Sequence, residues 1–123
     1  MTRFLIPQEL LQIAQTLPGD PACVDLGILD AVCVRAQSHY MGRDVYASDW
    51  LKAAAMLETI ALHEPLEAKN EFFAWLVAET FLNTNGVVLH YEPEEALALV
   101  MRAKHKGARV QEIAAQLRSW STS

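Results

Sequence analysis

The side chains best placed to do chemistry fall in one stretch, Leu62–Gly86, read L-H-E-P-L-E-A-K-N-E-F-F-A-W-L-V-A-E-T-F-L-N-T-N-G. His63, Glu64, Glu67 and Glu71 crowd the loop that leads into an apolar helix. Together they could take up protons or hold a metal ion. The plainer reading makes the carboxylates partners of the helix dipole or solvated groups, and His63 an ordinary helix-end histidine. The free N–H groups at the start of the helix would suit an anion. A functional site is therefore expected at this loop. His39, His90 and His105 are too scattered in sequence to suggest a metal site. Cys23 and Cys33 match no ligand spacing and are too few for a disulfide framework. They read as reduced, partly buried thiols. The basic run Arg102–Arg109 suits a helix C-terminus, with a partner patch as the other reading.

The element that must position this loop is the helix after it, expected over about 70–85. Phe72, Phe73, Trp75, Leu76, Val77 and Phe81 cover more than one of its faces, the pattern of a helix buried in the middle of its domain. Trp75, Leu76 and Phe81 are expected in the core. Phe72, at the helix start, could pack there or line a partner groove. Gly86 should end the helix in a left-handed conformation.

The remaining elements follow from periodicity and punctuation. Pro7 opens a helix to about Leu17, and Pro18-Gly19-Asp20-Pro21 breaks it. A second helix is expected from Asp25 to Gln37. His39 to Ala47 reads as an apolar loop, with Tyr40, Met41, Arg43 and Tyr46, that packs down as a flap. Ser48 or Asp49 caps the next helix, whose buried face carries Trp50, Ala53, Ala54, Leu57, Ile60 and Ala61. Its Ala53-Ala54-Ala55 run would let a neighbour approach closely. Val87–Leu89 is a short extended stretch. Pro93 starts a helix that Gly107 stops, and a last one spans Val110 to Arg118. The class is all-α: a compact single domain over residues 1–123, with about six helices around a buried central one.

Composition narrows the function. At 52% apolar and 20% charged over 123 residues the chain is a folded domain with one core. A net charge of −5 argues against a general nucleic-acid binder. No run approaches the ~20 apolar residues of a membrane span. The Phe4-Leu5-Ile6 run, ended by Pro7, is too short for a signal-peptide core. The expectation is a soluble, cytoplasmic protein.

In order and spacing, D-L-G-I-L-D-A at Asp25, G-R-D-V-Y at Gly42, K-A-A-A-M-L at Lys52, F-L-N-T-N-G at Phe81 and E-I-A-A-Q-L at Glu112 resemble the Fic/Doc family, on its short death-on-curing (Doc) branch. The resemblance covers about Asp25 to Trp120. It implies a helical fold and, before the central helix, a signature of the form H-P-F-x-(D/E)-G-N-K-R. In that signature the His acts as general base and the carboxylate holds Mg²⁺. The Gly-Asn-Lys turn cradles nucleotide phosphates, and the Arg neutralises developing charge. Family members move a nucleotidyl group or, on the Doc branch, a phosphate onto a protein hydroxyl. Doc toxins are neutralised by an antitoxin segment that docks beside the site.

Counted without gaps from Tyr46 and from Asn85-Gly86, the signature is degraded here. Glu64 stands at the base, Pro65 matches, and Leu66 replaces the Phe. Ala68 stands at the metal carboxylate. Lys69 replaces the Gly, so a tight phosphate-approaching turn is not expected. Asn70 matches, Glu71 replaces the Lys, and Phe72 replaces the Arg. A register shifted by one would put His63 at the base, with Glu67 and Ala68 at the carboxylate and Gly positions. It needs an extra residue inside the central helix, rotating its buried face by about 100°, and still restores no cationic clamp.

Two functions follow from the resemblance. In one, the protein keeps the fold without the chemistry, has no catalytic, cofactor or metal residues, and binds a protein: an antitoxin-like helical segment or a second copy of itself. The expected groove is Tyr40, Met41, Arg43, Tyr46 and Phe72. In the other it is a diverged Doc-type toxin that still uses ATP and Mg²⁺ to transfer a phosphoryl or nucleotidyl group. A decayed gene product stays open as a third reading.

Overall fold

A computed structural model describes residues 1–121. Six helices follow in order: α1 (Pro7–Gln15), α2 (Leu26–Ala36), α3 (Asp49–His63), α4 (Asn70–Thr84), α5 (Pro93–His105) and α6 (Val110–Ser119). Proline supplies the first residue of α1 and of α5, where its missing N–H costs nothing. Asp25 caps α2 by accepting from the Gly27 N–H at 3.0 Å, and Ser48 Oγ caps α3 by accepting from Leu51 N–H at 3.1 Å. Gly86 and Gly107 lie at φ +82° and +66° beyond α4 and α5, as a left-handed helix stop requires.

Two helices share the centre. α4 is buried through Phe73, Ala74, Trp75, Val77, Ala78, Phe81 and Leu82, as its apolar character foretold. α3 touches more of the molecule, packing on α2, α4, α5 and α6. Its Ala53, Ala54 and Ala55 are fully buried, and side chains this small let neighbouring backbones come close. α1 lies against α2 and α4, burying Leu10 and Ala14.

Two expectations change. Leu76 is only half-buried rather than core, because it falls on the side of α4 that looks outward. Phe72, which could have packed in the core or lined a groove, lies on the same side and is 51% exposed. The stretch after α2 is not a packed-down flap. His39–Tyr40 (β1) and Arg43–Asp44 (β2) pair as an antiparallel hairpin. Its turn residues Met41 and Gly42 have φ +52° and +78°, the two positive values a tight two-residue hairpin turn demands. With its backbone paired internally, the hairpin stands away from the core and leaves Tyr40 and Met41 exposed. Its root is fixed by Lys52, whose buried ammonium donates to Asp44 Oδ2 at 3.1 Å and to the Tyr46 carbonyl. Cys23 and Cys33 are free thiols, and burial pushes the Cys33 thiol up to about 11. No helix among the described residues is long and apolar enough to cross a membrane.

Candidate functional site

Residues 64–69 join α3 to α4, and Pro65 and Glu67 tie the loop by backbone hydrogen bonds to the strand-like segment before α2. The Pro65 carbonyl accepts from the N–H groups of Val24 (2.8 Å) and Asp25 (3.3 Å). Glu67 N–H donates to the Ala22 carbonyl at 2.9 Å, and Glu67 Oε1 accepts from Ala22 N–H at 3.0 Å. Leu66 bridges to Cys23 and is buried. Asn70, itself buried, closes the loop from inside. Its Oδ1 accepts from Leu66 N–H and its Nδ2 donates to the Leu66 carbonyl, both at 2.9 Å.

Two residues here hold conformations that L-amino acids seldom adopt: Glu64 at φ +46° and Lys69 at φ +65°. Lys69 therefore keeps the left-handed backbone that a glycine would give, which corrects the expectation drawn from its identity. The surrounding hydrogen bonds impose the turn despite the Cβ. Ala68 is exposed and offers no side-chain ligand. His63 ends α3 and is exposed. α4 is α-helical throughout, from Asn70 to Thr84.

The charges at this loop converge on a residue that the sequence did not single out. Lys104, on α5, donates to Glu64 at 2.9 Å and to Glu71 at 2.8 Å. Its proximity, together with the residue's own backbone N–H, holds the Glu71 carboxyl below the usual range. Glu71, then Glu64, holds the Lys104 ammonium above its own. Two of the three acidic side chains thus share one ammonium, while Glu67 caps the Ala22 N–H. Among the described residues, no group of three or more His, Cys, Asp or Glu side chains is placed to hold a metal ion. In sequence Lys104 read as a dipole partner at the end of its helix. Only the packing of α5 on α4 brings it to Glu71, 33 positions away, and to Glu64.

Beyond Glu71 the helix surface turns apolar. Phe72 and Trp75 line two neighbouring grooves. One, about 310 Å³, runs between α4 and the start of α5, with Tyr91, Glu94 and Leu97 on its far side. The other, about 300 Å³, is completed by Leu76 of α4 and by Leu17 and Pro18 just beyond α1. Neither contains Tyr40, Met41, Arg43 or Tyr46. Tyr46 lies in a separate polar cleft with Arg35 and Glu58, its hydroxyl accepting from Arg35 Nε at 2.8 Å. The structure thus does not unite the hairpin residues and Phe72 in one groove. The groove partners of Phe72 that sequence reasoning missed, Tyr91, Glu94 and Leu97, come from a loop and helix whose placement is a tertiary fact.

No family model matches the chain. Among curated proteins it is similar to Toxin Doc of Mycolicibacterium smegmatis (strain ATCC 700084 / mc(2)155), with 32% identity over 126 residues. The match takes in 100% of this chain and 97% of that protein. With a likeness at that level running from end to end, on an all-helical fold of the expected kind, the chain belongs to the Fic/Doc family.

Proposed function

We propose that this protein is a Doc-type member of a toxin–antitoxin pair that has lost group transfer and acts by binding a protein, an antitoxin-like helical segment being the partner class. The observation that carries this reading is the ion cluster of Glu64, Glu71 and Lys104. At the base position stands a carboxylate already paired to an ammonium. Where a clamp lysine and arginine would meet phosphates stand a second carboxylate and an exposed phenyl ring. The ATP and Mg²⁺ that the family implies do not fit these side chains. Ala68 supplies no oxygen for an ion that favours carboxylate and phosphate ligands. Asn70 spends both ends of its amide on Leu66. Glu71 places negative charge at the very helix start a phosphate would approach. The left-handed Lys69 supports the ungapped count, since it puts a glycine-like turn where that count expects glycine.

Calorimetric titration with ATP and magnesium tests the reading. No binding heat is expected, and a dissociation constant in the low micromolar range overturns it in favour of a diverged transferase. Restoring Glu64→His, Ala68→Asp, Lys69→Gly, Glu71→Lys and Phe72→Arg together should bring back nucleotide binding if the count is right.

A further inference from the structure

We propose that the groove between α4 and the start of α5 takes a cationic side chain, arginine or lysine, carried on a segment of the partner protein. The inference rests on the protein-binding reading above and adds the chemistry of what is bound. Three aromatic rings form the walls: Phe72, Trp75 and Tyr91. The polar atoms of the two larger ones are satisfied within the protein. Trp75 Nε1 donates to the Tyr91 hydroxyl at 3.1 Å, which donates to Glu79 Oε2 at 2.6 Å. What remains for a ligand is an apolar, ring-rich lining, and an aromatic ring carries the negative lobe of its quadrupole on its face.

The rim has the same sign. Glu94 is exposed and forms no salt bridge among the described residues, and Glu71 stands at the other edge with its charge shared by Lys104. A neutral apolar ligand would match the walls and leave Glu94 unanswered, and an anion would be repelled by it. A long basic side chain satisfies both, its stem against Leu97 and the rings and its charge toward Glu94. The protein already shows that one of these rings attracts a cation, since Lys69 Nζ stands 5.9 Å from the Phe72 ring centre. The exposure of Phe72 and Leu97, 51% and 39%, leaves the groove accessible.

The test uses the full chain and three amidated helical peptides identical except for a central Arg, Leu or Glu. Binding is read from the nitrogen-15 NMR signals of the Trp75 indole and of the Leu97 backbone. The Arg peptide should bind about tenfold more tightly than the Leu peptide, and the Glu peptide more weakly than either. Glu94→Gln should narrow the Arg–Leu gap to about threefold. Equal binding of the Arg and Leu peptides overturns the cationic assignment and leaves the protein-binding reading standing. So does the absence of any shift with all three, which removes the groove as a site. Concentration-dependent broadening of these signals without peptide makes a second copy the occupant and likewise overturns the proposal. The broader reading fails separately, in the ATP titration.

Discussion

The two ends of α4 are closed by the same device and differ in everything around it. At each end an asparagine uses both faces of its amide to pair with one backbone unit, as a neighbouring strand would. Asn70 holds the N–H and carbonyl of Leu66. Asn85 holds those of Arg3, accepting at 2.7 Å and donating at 2.9 Å. At the C-terminal end, fully buried Phe81 and Leu82 precede the clamp and Gly86 follows it. At the N-terminal end, an ion cluster and an exposed Phe72 surround it. The stretch F-L-N-T-N-G sets its clamp among buried apolar side chains. The stretch H-E-P-L-E-A-K-N-E-F sets the same kind of clamp among charged and exposed ones.

The sharpest way to break this contrast is to truncate one ring at each end. Phe81→Ala removes a fully buried side chain and should destabilise the protein by about 3–5 kcal/mol in a denaturant melt. Phe72→Ala removes a half-exposed one and should cost under about 1 kcal/mol, with its effect seen in partner binding instead. Comparable losses at both ends would place Phe72 in the core after all. The asparagines come next. Asn70→Ala strands two backbone groups of buried Leu66 and should cost roughly 2–3 kcal/mol. Asn85→Ala frees groups of exposed Arg3 that water can reach, and about 1 kcal/mol is expected.

The ion cluster predicts how the N-terminal end responds to pH. Glu71 is held below its ordinary value of 4.5, so its contribution is complete above that pH and lost as pH falls through the lowered value. Lys104 is held above 10.5, so its contribution is complete below that pH and lost as pH rises through the raised value. Lys104→Met should remove the alkaline dependence and weaken the acid one, part of which the backbone N–H of Glu71 sustains. Thermal melts of the wild type and variant, differing by roughly 1 kcal/mol or less at pH 7, should converge as pH falls through the lowered Glu71 value. A difference that stays constant on acidification would assign the effect to packing rather than charge.

What could be read in advance follows a physical line. Helices announced themselves through proline at the first position, glycine past the last, and apolar residues at helical spacing. The role of α3 was less visible because three alanines carry little hydrophobic signal, although their small size lets it touch four neighbours. The hairpin was missed because each strand is two residues long, too short for alternation to register, and its turn begins with methionine rather than a usual turn former. At the site, the acidic residues Glu64 and Glu71 were legible. Their shared partner was not, because nothing in sequence links Lys104 to them before α5 packs on α4. Lys69 went wrong for a related reason. Residue type argued against a left-handed turn, and the loop's pairing with residues 22–25 overrode it.

That override makes the smallest prediction a direct test of whether residue 69 is held left-handed. A residue with a Cβ at φ +65° is strained relative to glycine, and Lys69 forms no hydrogen bond or salt bridge through its side chain among the described residues. What its side chain does provide is the ammonium near the Phe72 ring, worth about 0.5–1 kcal/mol at an exposed position. Lys69→Gly relieves the strain, loses that contact, and adds freedom to the unfolded chain. The net change should lie within about 0.5 kcal/mol of zero. Lys69→Val, with a branched Cβ in the same conformation, should be worse than glycine by at least about 1 kcal/mol. Measured in one set of denaturant melts, a valine variant as stable as the glycine variant would mean that residue 69 is not held left-handed in solution.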